Sequence, residues 1–229
     1  MYNLLPIQII LVPQGAEYQA VYRGLSRINS PKPLILPIPI GCKAVTKHLE
    51  KLQKAGHFQN SSHNVLLMGL CGSLSPQYTV RDVVVYRGCI KAAYSAQYCD
   101  SELTILLHEK LKDEASLVQG LTSDRIIYSA SEKQHLGQLY NIDVVDMEGF
   151  AVLEVLKKVA MVRVISDDIQ HDLPNLTSTI SSEGKLLSLP LTLGMMRQPI
   201  AATRLIRGSV QGLRVLENTT RLLFAEKVV

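Results

Sequence analysis

The chain has 229 residues, 47% of them apolar and 19% charged, with a formal net charge of +4. That is enough apolar material for one large folded domain or two small ones, which excludes disordered and fibrous classes. No run reaches the roughly 18 apolar residues of a membrane span, Met1 to Pro13 lacks the basic flank and cleavage site of a secretion signal, and the mild charge has no Lys/Arg run with interleaved aromatics, so a nucleic-acid partner is excluded and the cytoplasm is expected.

Ile7 to Val12 is an almost continuous apolar run and Ala16 to Leu25 reads as a helix, so the chain opens as a strand with its crossover helix. Leu34 to Ile40 is a second apolar run, in which Pro37 and Pro39 predict an edge strand or an extended connection because neither can donate a ladder hydrogen bond. In Lys43 to Lys54, Val45, Leu49 and Leu52 form an apolar stripe; Lys43, Lys47, Lys51 and Lys54 are read as the solvated face of that helix, with Gly56 as its stop. Val65 to Leu70 predicts a third strand, running into Cys71-Gly72-Ser73-Leu74-Ser75-Pro76, where small residues let the backbone turn close to a ligand. Asp82 to Tyr86 continues as a strand and Leu103 to Leu111 as a helix, and Thr122 to Tyr128 leads into a helix around Glu132 to Leu139. Ile142 to Val145 is short and β-branched, Phe150 to Val159 reads as a largely buried helix, and Val162 to Ile165 as the next strand.

This alternation predicts an α/β fold with one mostly parallel sheet covered on both faces. After Ser181 no strand pattern appears. Ile200 to Phe224 instead reads as a helix carrying Arg204, Arg207, Arg214 and Arg221, packed over the sheet with its arginines in water rather than lying on a membrane surface. The expected organisation is one domain over residues 1–229, with a sheet core in 1–175 and a mainly helical tail in 176–229. Cys42, Cys71, Cys89 and Cys99 lie far apart without CxxC spacing, so neither a zinc cluster nor a disulfide framework is expected.

Two apolar runs end in carboxylates about twenty residues apart, Val145-Asp146-Met147-Glu148-Gly149 and Val162-Arg163-Val164-Ile165-Ser166-Asp167. In an open α/β sheet, residues at the carboxyl ends of strands face the crevice where ligands bind. Releasing a purine from ribose requires a proton on its imidazole ring, and Asp167 is the candidate acid, its neutral form favoured by the adjacent Asp168 and the apolar strand behind it. Positive charge then builds on the sugar. Glu148 is placed to hold the ribose hydroxyls and favour that charge, Met147 to wall the sugar, and Glu17, just after the first strand, to activate the nucleophile. The plainer alternative is that Asp146 or Asp167 only caps the element that follows it.

Asp146-Met147-Glu148-Gly149-Phe150-Ala151 together with Val162 to Asp167 resembles the paired signature of the purine nucleoside phosphorylase and methylthioadenosine/adenosylhomocysteine nucleosidase superfamily. Gly69-Leu70-Cys71-Gly72-Ser73-Leu74 with Asp82-Val83-Val84 looks like its glycine-rich turn and following strand, and Thr122-Ser123-Asp124-Arg125-Ile126-Ile127 is similar to its base-pocket motif. Asp172-Leu173-Pro174, Glu183-Gly184-Lys185 and the arginine-bearing helix after Pro199 resemble the tail of the hopanoid-associated phosphorylases, which act on an adenosyl-lipid. The resemblance implies a three-layer α/β/α nucleoside-phosphorylase-like fold with a mixed, mostly parallel central sheet, assembled as a homo-oligomer. It implies Asp167 as the acid on the purine, Glu17 as the residue orienting water, and Glu148, Met147, Ser166, Ile126, Ile127, Cys71 and Gly72 as substrate contacts. The implied substrate is an adenosine-type nucleoside, a lipid-linked adenosine included, cleaved by water or by inorganic phosphate as co-substrate, with no other cofactor and no metal.

The sequence also departs from that pattern. Leu70 stands where a Ser or Thr facing the nucleophile is usual, Ser123 and Arg81 stand at glycine positions, and Ile126 replaces an aromatic. Leu67 and Met68 occupy the strand that often carries a phosphate-binding arginine, leaving Arg125 or Arg23 as substitutes. A degenerate member that binds a purine without turnover is therefore the alternative to an enzyme. A dinucleotide-binding domain is disfavoured, because the first strand runs into Pro13-Gln14-Gly15-Ala16-Glu17 with no GxGxxG.

Overall fold

The computed structural model describes residues 5–29, 31–58, 63–92, 94–176, 179–181, 183–185 and 187–225. Strand β1 (Ile9–Pro13) is buried at every residue, and the turn at Gly15, with a φ of 97° that suits glycine, launches α1 (Ala16–Ser26). Strand β2 (Leu34–Ile38) is the edge strand that its prolines require, paired only with β1 in parallel. Helix α2 (Cys42–Lys54) turns Cys42, Val45 and Leu49 inward and leaves its four lysines exposed. The chain continues through β3 (Val65–Ser73), β4 (Val83–Ile90), β5 (Gln97–Tyr98), α3 (Ser101–Leu111), β6 (Ala115–Thr122), α4 (Ala130–Tyr140), β7 (Val144–Asp146), α5 (Gly149–Val155) and β8 (Val159–Asp167). Helices α6 (Ser188–Arg197) and α7 (Pro199–Phe224) form the tail.

The sheet is mixed and mostly parallel. Its order runs β2-β1-β3-β7-β6-β4-β5, and β8 pairs with both β3 and β4, so β3, β7, β6, β4 and β8 close on themselves as a ring at the middle of the sheet. One face packs under α2 and α5 through residues such as Leu11, Leu67, Met161, Val45 and Phe150. The opposite face packs under α1, α3 and α7 through Ile10, Met68, Val162, Val21, Leu107 and Leu216. These are the three layers α/β/α. Arg23 of α1 and Arg27, which follows it, both pair with Glu217 of α7 and join the tail helix to α1 on the same face of the sheet. The four cysteines are free and buried, and no helix among the described residues is long and apolar enough to cross a membrane.

Strand β5 and helix α6 carry no pattern that the sequence reading marks, and two further elements differ from it. Strand β6 was not foreseen, because Ser116, Gln119 and Gly120 break the apolar alternation of Ala115–Thr122. Helix α5 stops at Val155 and Val159 already belongs to β8, since an unbroken apolar run does not mark where a buried helix yields to a buried strand.

Candidate active site

The ring, together with β1 paired alongside β3, brings four chain segments together. The start of α1 supplies Glu17, the end of β3 supplies Leu70, Cys71 and Gly72, the turn after β7 supplies Met147 and Glu148, and the end of β8 supplies Ser166 and Asp167. All of them line one cavity of about 240 Å³, which Ile126, Ile127, Leu173 and Ile180 complete. A second cavity of about 250 Å³ shares Ile40, Arg125, Ile126, Met147 and Ile180 with it and extends over the start of α2 at Cys42 and Lys43. The pair forms one cleft of small-molecule dimensions. Every substrate-contacting residue expected from sequence is thus on its wall.

Behind the cavity wall lies Arg163, fully buried, to which the sequence reading assigns no role. Its Nη2 donates to Asp146 Oδ2 and to Glu148 Oε2, both at 3.2 Å, and its Nη1 approaches the carbonyl of Leu70 at 3.4 Å. A charged residue in the centre of the otherwise apolar strand Val159–Asp167 was the available signal, because a guanidinium is buried only against carboxylates. The Glu148 carboxylate also accepts the backbone N–H of Gly41 at 3.2 Å, a residue whose φ of 90° suits glycine. Asp146 serves structure: it accepts Thr122 Oγ1 at 2.8 Å and the N–H of Gly149 at 3.2 Å, capping the start of α5.

Glu17 lies beside the same guanidinium. A Cβ on Gly69 would come 2.4 Å from Arg163 Nη1 and 2.6 Å from Glu17 Oε1, so only glycine fits beneath them. Glu17 Oε1 accepts the N–H of Leu70 at 2.6 Å. Burial pushes its carboxyl up from 4.5 to about 7; Arg163 and the Leu70 N–H pull it down, and Glu148 adds to the rise. Glu148 is likewise raised by burial, with Arg163 opposing and Asp146 reinforcing. Three carboxyl groups therefore crowd one guanidinium, and when Glu17 and Glu148 are both ionised the charge beside the cavity is net negative.

Asp167 meets different partners from those expected. Its neighbour Asp168 does not face it: that carboxylate accepts the N–H groups of Gln170 and His171, each at 2.9 Å, and lies 3.0 Å from His171 Nδ1. Burial alone would raise Asp168, but these hydrogen bonds outweigh it and hold the group below its usual range. The like-charge contribution expected of Asp168 is corrected accordingly, since the turn after β8 directs that side chain into its own loop. Instead Lys133 of α4, fully buried, donates to Asp167 Oδ2 and to the carbonyl of Asp168, the latter at 2.7 Å. Ser166 Oγ lies 3.0 Å from Asp167 Oδ1 and 3.2 Å from the carbonyl of Cys71. Gly72 leaves room for the carboxylate, as a Cβ there would come 2.7 Å from Asp167 Oδ2.

The family model of the phosphorylase superfamily matches residues 21–184, well over half of the chain. The chain belongs to this superfamily. A search of curated protein sequences gives no match. Among solved structures it is similar to futalosine hydrolase of Helicobacter pylori, at 15% identity and a TM-score of 0.68 over 95% of this chain and 97% of that one. The 5′-methylthioadenosine/S-adenosylhomocysteine nucleosidase of the same organism gives 14% identity and a TM-score of 0.68, covering 94% and 96%. A putative methylthioadenosine nucleosidase of Weissella paramesenteroides gives 18% and 0.59, covering 93% and 97%. At these identities the likeness establishes the fold.

The departures from the superfamily pattern have structural counterparts. Arg81 adopts a φ of 90°, the backbone expected of the glycine it replaces. Ser123 Oγ donates to the carbonyl of Arg125 at 2.8 Å and closes the turn that carries Ile126 and Ile127. Arg125 reaches the cavity wall but pairs with Glu132, and Arg23 pairs with Glu217 across α1 and α7. Arg23 is off the cavity wall, and the Arg125 guanidinium is engaged by Glu132. Leu70 gives the cavity an apolar wall, and burial pushes the neighbouring Cys71 thiol up, so that it stays neutral.

Proposed function

We propose that this cavity cleaves the N-glycosidic bond of an adenosine-type purine nucleoside with water, releasing the free base. The observation that carries the reading is the convergence of Glu17, Glu148 and Asp167 on one cavity, the first two beside the Arg163 guanidinium and the third paired with Lys133. Asp167 provides a proton to the imidazole-ring nitrogen of the base, so that the electron pair of the glycosidic bond leaves with a neutral purine. The sugar becomes cationic as the base departs, and the negative excess of Glu17, Glu148 and Asp146 over Arg163 favours that state more than the neutral substrate. Glu148, held by Arg163 and the Gly41 N–H, keeps lone pairs for the ribose hydroxyls, and Met147 packs against the sugar.

Water is favoured over phosphate. Glu17, with a carboxyl near 7, takes the proton of an attacking water at neutral pH. A phosphate dianion would meet an apolar Leu70, an arginine that does not line the cavity and whose Nη2 is already held by Asp146 and Glu148, and the carboxylates themselves. The structural neighbours' names, a hydrolase and nucleosidases, support the same choice.

The test is release of free base from adenosine, methylthioadenosine and adenosylhomocysteine, each with and without phosphate. Release at equal rates in both conditions is expected. Release that needs phosphate would overturn the choice of nucleophile. Thermal stabilisation by adenine without any release would favour a binding protein.

A further inference from the structure

Lys133 is the one lysine among the described residues that is fully buried, and the chemistry proposed above does not use it. It lies in α4, which follows the loop bearing Ile126 and Ile127, and its side chain runs under the carboxyl end of β8. Burying an ammonium is costly unless it is paired and hydrogen-bonded. A helix face that needed only packing would carry leucine there. The ammonium donates to Asp167 Oδ2 and to the Asp168 carbonyl, while Asp167 itself remains on the cavity wall.

We propose that Lys133 supplies, through Asp167, the proton taken by the departing base. The inference rests on the reading of the cavity as a site of N-glycosidic cleavage. An ammonium brings donor hydrogens to the pair, and the carboxylate it is bonded to is the group that reaches the cavity. In the step, one proton moves from Lys133 Nζ to the Asp167 carboxylate. The carboxyl group turns about its Cβ–Cγ bond and passes that proton to the ring nitrogen, and the electron pair of the glycosidic bond leaves with the base. Lys133 is left as a neutral amine, and water adds its oxygen to the sugar while its proton goes to Glu17. Glu17 then loses one proton to solvent and Lys133 regains one, which restores the starting state. Lys133 acts through Asp167 and is a positioning residue, not one that touches substrate.

Two substitutions separate proton supply from charge and packing. Lys133→Gln keeps amide hydrogens for Asp167 and the Asp168 carbonyl but has no acidic proton, and Lys133→Arg keeps the charge but does not deprotonate in proteins. Wild type and both variants are compared on the purine nucleoside that the wild type cleaves fastest and on a 4-nitrophenyl β-riboside, whose leaving group departs as a stabilised anion without a proton. The expected result is a fall of about a hundredfold or more in kcat on the purine nucleoside for both variants, with KM little changed and nitrophenyl cleavage close to wild type. Purine turnover kept by either variant overturns the proposal, and so does an equal loss on both substrates, which marks damage to the fold. Melting curves verify folding; if the pocket rejects arginine, Lys133→Met takes its place with the same expectations. A wild type that cleaves neither substrate overturns the reading of the cavity and this inference with it, an outcome distinct from failure of the lysine alone.

Discussion

Replacing Glu17 by glutamine is expected to make the protein more stable and inactive together. Burial pushes the Glu17 carboxyl from 4.5 to about 7 against the opposing pull of Arg163 and the Leu70 N–H. A carboxyl whose folded-state value exceeds its unfolded value binds its proton more tightly in the native chain. Its contribution to stability is therefore complete below about pH 4.5 and is lost as the pH rises through about 7. Each pH unit of difference corresponds to about 1.4 kcal/mol, so the ionised group costs the fold about 3 kcal/mol above neutrality. Glutamine never ionises, and its carboxamide oxygen can still accept the Leu70 N–H that Glu17 takes at 2.6 Å. Facing Arg163 with an amide returns part of the gain, leaving about 1–3 kcal/mol. For a chain of this length that is about 2–10 °C in Tm. Thermal melts of wild type and Glu17→Gln are expected to run close together near pH 5 and to separate near pH 8, with the variant higher. A variant that melts at or below wild type near pH 8 would refute the claim that a buried, reluctantly ionised carboxylate stands at this position.

The same group gives a rate prediction: kcat/KM is expected to rise through about pH 7 as Glu17 ionises to become the base, and a profile flat from pH 5 to 8 would remove it from the mechanism. Asp167→Asn should lower turnover of a purine nucleoside about a hundredfold or more in a base-release assay, and unchanged turnover would exclude Asp167. Arg163→Met strands Asp146 and Glu148 in the interior and is expected to cost about 3–5 kcal/mol in urea unfolding. A loss below about 1 kcal/mol would show that the buried carboxylates do not depend on the guanidinium.

The carboxylates of the site were legible because each follows the end of an apolar run, and in this architecture strand ends share one crevice. Glu17, Glu148 and Asp167 line one cavity for that reason. Their partners were hidden. Arg163 sits inside an apolar run that reads as core, although a charge at the centre of β8 demands carboxylates around it. Lys133 gave no comparable signal, since one lysine in a weakly patterned helix reads as solvated until the fold shows where α4 lies. Asp168 was misread because the path of the turn after β8, not its adjacency in sequence, decides that its carboxylate serves the His171 loop. Ring closure was equally hidden: the apolar pattern of β8 does not say that it pairs with β4 as well as β3.

The most direct measurement is a crystal structure of the Asp167→Asn variant with a purine nucleoside. The nucleoside is expected in the cavity with the base edge at residue 167, the ribose hydroxyls on Glu148, and the sugar between Met147 and Glu17. A nucleoside bound elsewhere, or a Glu148 carboxylate that keeps only Arg163 and the Gly41 N–H as partners while the ligand lies out of its reach, would contradict the assignment.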